Sequence, residues 1–148
     1  MEIERKFLIT QGVEHLHLKQ YPCRHIEQAY LCREPVVRVR QDETDYYLTY
    51  KGRGLLAREE YNLPLTKASY EHLRAKSDGT IITKKRYEIP CEEELIIELD
   101  IFSGNLAGLI LAEVEFVSQT QALNFTPPPW FGREVTQDAA YQNSNLSK

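Results

Sequence analysis

Residues 1–9, MEIERKFLI, carry Glu2, Glu4 and Lys6 at every second position, with Ile3, Arg5, Phe7 and Ile9 between them. A strand sends successive side chains to opposite faces, so two carboxylates and an ammonium share one side of this stretch. The same alternation returns down the chain. After the opening strand at 2–9, it predicts strands near 25–33, 36–42, 45–52, 57–64, 80–90, 94–102 and 109–117. ETD (43–45) and KGRG (51–54) read as hairpin connections. TKASYEHLRAKSDG (66–79) reads as a helix capped by Thr66 and stopped at Gly79. Weaker helical patterns lie near 118–124 and 137–146, and the prolines of TPPPWFG (126–132) impose an extended loop.

Parity sorts the charges. PVVRVRQ sets Arg38 and Arg40 against Val37 and Val39, and DYYLTYKG sets Tyr47, Thr49 and Lys51 against Tyr46, Leu48 and Tyr50. AREEYNLPL gives Arg58, Glu60 and Asn62 on one face; IITKKRYEI gives Lys84, Arg86 and Glu88. ELIIELDIF puts Glu98 and Asp100 opposite Ile97, Leu99 and Ile101, and LILAEVEFV puts Glu113 and Glu115 opposite Ala112, Val114 and Phe116. Like charges two residues apart on one face repel, so opposite charges must lie across from them. A solvated face would intersperse the signs and use more Ser, Thr, Asn and Gln. Evenly spaced strands with few helices predict a mainly β, α+β chain whose antiparallel sheet curls into a barrel. Its charged faces then point inward. Burying so many charges costs several kcal/mol each unless they are compensated. A polyanion accompanied by divalent cations supplies that compensation, arginines taking phosphate oxygens and carboxylates taking hard metal ions.

The bulk numbers narrow the alternatives. A chain of 148 residues with 42% hydrophobic and 27% charged residues suits one domain spanning 1–148. The net charge of −4 gives no basic field for nucleic acid or anionic lipid. Cys23, Cys32 and Cys91 form no CxxC pair, so neither a disulfide framework nor a thiolate zinc site is expected. His15, His17, His25 and His72 lack metal-ligand spacing. With a strand beginning at residue 2 and no apolar run of about 20 residues, a cytoplasmic protein that does not enter membranes is the expectation.

The charged residues resemble, in order, the CYTH superfamily of triphosphate tunnel metalloenzymes. Glu2, Glu4 and Lys6 match its E-x-E-x-K opening. RVR, TYKG, REEY, KKRYE and LDIFSGNLAGLILAEVEF are similar to its later strands, and PPPWFGREVTQDAAYQN to the closing segment of short bacterial members. The resemblance implies a closed eight-stranded antiparallel tunnel with covering helices, hydrolysing triphosphates with Mg²⁺ or Mn²⁺. It implies Glu2, Glu4, Glu113 and Glu115 as metal ligands, and Lys6, Arg38, Arg40, Lys51, Arg58, Lys84 and Arg86 as the grip on triphosphate. Asp100, with Glu98 and Glu60 in support, falls near the metal. Tyr30 and Lys84 match a tyrosine–lysine pair that acts on water. Asn62 departs from the family's R-x-E-x-E and puts a second metal in doubt.

The expected activity is metal-dependent cleavage of the terminal phosphoanhydride of inorganic triphosphate by a monomer or homodimer. Thiamine triphosphate, nucleoside triphosphates and cyclisation of ATP are the competing reactions in the same tunnel. A non-catalytic polyphosphate-binding module is the competing class, and the paired acids speak against it.

Overall fold

The computed structural model describes residues 1–148, the side chain of Glu93 excepted. Nine strands form one antiparallel sheet: β1 Glu2–Leu8, β2 Cys23–Arg33, β3 Val36–Asp42, β4 Asp45–Lys51, β5 Ala57–Arg58, β6 Glu60–Pro64, β7 Asp78–Pro90, β8 Ile96–Ser103 and β9 Ile110–Glu115. Their order is β5-β1-β9-β8-β7-β2-β3-β4-β6. The two edges are neighbours in sequence. The expected strand at 57–64 divides at Glu59: Arg58 pairs with Glu2 on β1, whereas Glu60 to Pro64 pair with β4. One stretch of chain therefore reaches both edges of the sheet. The barrel is nearly closed, with a single unsealed seam between β5 and β6.

Apolar residues of the outer parity bury themselves under short covering elements. Phe7, Leu99, Ala112, Val114 and Phe116 form one cluster with Ala122 and Phe131, beneath helix α2 (Gln119–Asn124) and the loop after it. On the other side, Ala29, Val39 and Tyr70 meet under helix α1 (Lys67–Arg74). Thr66 caps α1 as expected, exchanging hydrogen bonds with Ser69. The helix ends at Arg74, four residues short of the expected end at 78. Its last carbonyls are closed by tight turns to Lys76 and Ser77, and Asp78 already belongs to β7. Among the described residues no helix is long and apolar enough to cross a membrane.

The inward parity changes character along the barrel. Lys6 gives way to Leu8, Arg38 to Val36, Lys84 to Ile82, Asp100 to Phe102 and Glu113 to Leu111. Val36, Ile82, Phe102 and Leu111 make an apolar floor with Tyr30 and Val135, against which Leu8, Tyr141 and Leu146 pack. Residues 135–147, including helix α3 (Asn143–Leu146), cover this end. The charged interior thus opens at the other end.

Leu99 is fully buried in the larger outer cluster. Truncation to alanine removes several methylene groups and leaves a cavity, so Leu99→Ala is expected to cost about 3 kcal/mol. Urea unfolding should show a lower midpoint at an unchanged slope.

Candidate active site

Strand pairing sets the charges face to face before any side chain is considered. Arg86 lies opposite Asp100, Lys6 and Glu98 both lie opposite Glu113, and Glu4 lies opposite Glu115. At the deepest charged layer Asp100 is a hub. It accepts a two-pronged hydrogen bond from Arg86 (Nε at 2.7 Å, Nη2 at 2.8 Å) and one from Lys84 Nζ at 2.7 Å. Arg86 also reaches Glu98 at 3.1 Å and Glu113 at 3.5 Å. Burial would raise Asp100, but Arg86 and Lys84 outweigh it and hold its carboxyl below the ordinary value. Burial lowers Lys84 to about 7, Asp100 pulling against the shift and Arg86 and Arg40 adding to it.

The basic wall comes from β2, β3 and β4. Arg40 donates to Gln28 at 2.9 Å, Tyr30 lies beside Arg38, and Arg24 reaches Asp42 at 2.8 Å. Burial depresses the pKa of Arg40, and the guanidinium groups of Arg38 and Arg86 depress it further. This is a cluster of cations short of an anion.

The acidic side comes from β1, β6, β8 and β9. Lys51 holds Glu2 at 2.9 Å and Glu60 at 3.3 Å, while Arg58 is 3.8 Å from Glu2. Lys6 pairs with Glu113 at 3.5 Å. Glu4 and Glu115 face each other and form no ion pair among the described residues. Burial and the neighbouring Glu4 push Glu2 up to about 8, against Lys51. Glu60 sits at about 2: burial would raise it, but hydrogen bonds from Glu2 and Asn62 and the charge of Lys51 prevail. Burial raises Glu115 too, with Glu4 and Glu60 adding to it. Asn62 accepts from Thr49 at 2.6 Å and donates to Glu60 at 3.0 Å, so the amide orients a carboxylate.

These groups enclose a cavity of about 200 Å³. Lys6, Arg38, Arg40, Lys51, Arg58 and Arg86 line it, as do Glu2, Glu4, Glu60, Glu98, Glu113, Glu115, Asn62 and Tyr30. Lys84 and Asp100 stand behind the wall with side chains fully covered, paired to each other. Among the described residues Lys84 and Tyr30 share no hydrogen bond: Lys84 donates to Asp100, and the Tyr30 hydroxyl accepts from Gln28 at 3.5 Å. Arg24, Gln28 and Asp42 join the site without having been singled out in the sequence. Asp42 continues the alternation of Arg38 and Arg40, whereas Arg24 precedes the expected start of its strand.

Seven basic and seven acidic residues line the cavity, so its formal charge balances. A bare polyanion would upset that balance; one arriving with cations would not. Hard oxygen donors suit a divalent cation, and Glu4 opposite Glu115 is a place where two carboxylates lack a partner. Among the described residues no three acidic, histidine or cysteine side chains form a ready-made coordination cluster. The donors fit a metal by their chemistry, and Lys51, Lys6 and Arg86 occupy the remaining acids.

An antiparallel barrel lined by opposed ions and open at one end defines a charged-tunnel protein. The chain belongs to the CYTH domain family, which matches residues 1–144. It is 40% identical to an inorganic triphosphatase of Nitrosomonas europaea, over 99% of this chain and 96% of that protein. It is 35% identical to an inorganic triphosphatase of Acetivibrio thermocellus, over 99% and 93%. A crystal structure of an inorganic triphosphatase superposes with a TM-score of 0.70 at 35% identity, covering 99% of this chain and 94% of that one. A protein from Pyrococcus furiosus, 20% identical with a TM-score of 0.61, shares the fold.

The acids give a pH signature. Glu2 keeps its proton in the fold up to about 8 but loses it at about 4.5 when unfolded; Glu98 and Glu115 are also raised. The folded state binds more protons across this window, so stability of the ligand-free protein should fall as pH rises from about 5 to about 7. Above about 8, where Glu2 has given up its proton, the lowered Lys84 reverses the trend, because the unfolded chain then binds the extra proton. Thermal melts across this range should show the fall, and Glu2→Gln should flatten it.

Proposed function

We propose that this protein hydrolyses the terminal phosphoanhydride bond of inorganic triphosphate in its tunnel, as a single domain, with Mg²⁺ or Mn²⁺. The observation that carries the reading is the opposed, unpartnered pair Glu4 and Glu115 beside a cation-rich wall. A simple anion binder has no use for those acids. Full-length similarity to two inorganic triphosphatases supports the same reaction.

Lys6, Arg38, Arg40, Lys51, Arg58 and Arg86 would hold the phosphate oxygens. Arginines do so through paired N–H donors and lysines as point charges. Glu4 and Glu115 would hold the metal, with Glu2 and Glu60 joining once substrate draws Lys51 away. The bound metal supplies charge neutralisation and activation of water. Water attacks the terminal phosphorus, the bridging P–O bond breaks, and its electron pair leaves with pyrophosphate. Arg86 faces the charge that grows on that leaving group. Asp100 fixes both prongs of Arg86, and Lys84 fixes Asp100 from behind. Lys84 and Asp100 thereby position Arg86. Because phosphoryl transfer asks little covalent chemistry of a protein, fixed placement supplies much of the acceleration.

Glu4→Gln tests the reading. It should lower triphosphate turnover by about 100-fold or more while leaving or tightening anion binding. Wild-type protein should release phosphate from inorganic triphosphate faster than from ATP or thiamine triphosphate, and EDTA should stop it. Full activity in Glu4→Gln, or equal or faster turnover of ATP, would reject the proposal.

A further inference from the structure

The closed end of the cavity is built by a part of the chain that the reaction above does not use. Asn143 and Ser144, on α3, line the cavity beside Tyr30, Val36 and Arg38. Two polar atoms there are buried without a hydrogen-bond partner among the described residues: Asn143 Oδ1, an acceptor, and Arg38 Nε, a donor. Leaving such a group unpaired costs about 1–3 kcal/mol, so each is a place where a ligand atom belongs. Lys6 Nζ, which also faces the cavity, donates to the Tyr141 carbonyl oxygen of the same segment at 3.1 Å.

The segment is fastened. Arg33 donates to the Ser144 carbonyl at 2.8 Å and to Ser147 Oγ at 2.9 Å, and the Thr80 amide donates to the Ser147 carbonyl. Gly79 permits that approach. Its φ is +73°, and a Cβ there would lie 2.2 Å from the Ser147 oxygen. Behind this wall lies a second cavity with Arg33, Arg53 and Lys148 in its lining, and Val36, Arg58 and Ser144 border both spaces.

We infer that residues 138–148 act as the end-stop of the tunnel and that Asn143 recognises the free end of a phosphate chain. The inference rests on the triphosphatase reading. A terminal phosphoryl group has three non-bridging oxygens, one of which takes a proton with a pKa near 6, as in other phosphate monoesters. It can therefore donate to Asn143 Oδ1 while accepting from Arg38 Nε. An internal phosphate carries one negative charge shared by its two non-bridging oxygens and has no proton to give, and its chain would have to continue through α3. The cavity therefore admits a chain end and refuses a chain middle. Longer polyphosphates are shortened from their ends.

Asn143→Leu keeps the volume and removes the polar atoms; Asn143→Asp adds a charge that repels phosphate. Each should lower kcat/KM for inorganic triphosphate about tenfold or more, mainly through KM, with Asn143→Asp the worse of the two. With long-chain polyphosphate, wild-type protein should release a short product of fixed length from the outset while the parent chains shorten stepwise. Arg33→Ala, which releases the Ser144 and Ser147 contacts, should raise activity on long chains relative to triphosphate and cut chains internally, giving mid-length fragments before short products accumulate. An unchanged kcat/KM in Asn143→Leu, or internal cutting by the wild type, would overturn the inference and leave triphosphatase activity standing. No turnover of triphosphate by the wild type would overturn the proposed function, and this inference with it.

Discussion

Charge buried in a barrel must find a partner, and this constraint organises the whole interior. Asp100 is fully covered, yet two cations from the adjacent strand converge on it. Separating such a pair by removing one member typically costs several kcal/mol, because the survivor remains buried and uncompensated. The deep layer is therefore rigid. Away from Asp100 compensation becomes incomplete: Glu4 and Glu115 oppose each other, and burial together with like charge raises the pKa of Glu2 and of Glu115. The gradient from satisfied to unsatisfied charge runs from the fold's foundation to the place where a ligand would complete it.

The barrel wall reflects the same demand. A sheet edge running beside so many charges would admit water and loosen every pair. Dividing one strand at Glu59 lets consecutive residues pair with β1 and with β4, which brings Arg58 and Glu60 to the same acids. Lys51 thereby meets Glu2 and Glu60 together, although Glu60 lies on the last strand of the sheet order and Glu2 on the second. The unsealed seam is short, and ion pairs bridge it.

Strand alternation was legible because it depends on nothing beyond neighbouring residues. Glu2, Glu4 and Lys6, Arg38 and Arg40, Lys51, Arg58, Arg86, Glu113 and Glu115 all reach the cavity that parity assigned them. Less legible were features set by depth. Lys84 and Arg86 share a face and look alike in sequence, but only Arg86 is long enough and placed to reach both Asp100 and the cavity; Lys84 ends behind the wall. Arg24, Gln28 and Asp42 entered through the exact reach of β2 and β3, which propensity does not fix. The end of α1 was overrun for a similar reason, since tertiary pairing claims Asp78 and Gly79 for β7.

By itself the sequence determined which side chains face which way, and with that the mainly β fold, the charged lumen and the identity of most of its lining. A period of two is a local property of an extended chain and survives without any knowledge of its partners. Only the tertiary structure decided which charges meet, which stay unpaired and where the lumen stops. Those outcomes depend on register between strands far apart in sequence, and on residues 138–148 folding back across one end to touch Lys6 and Arg33.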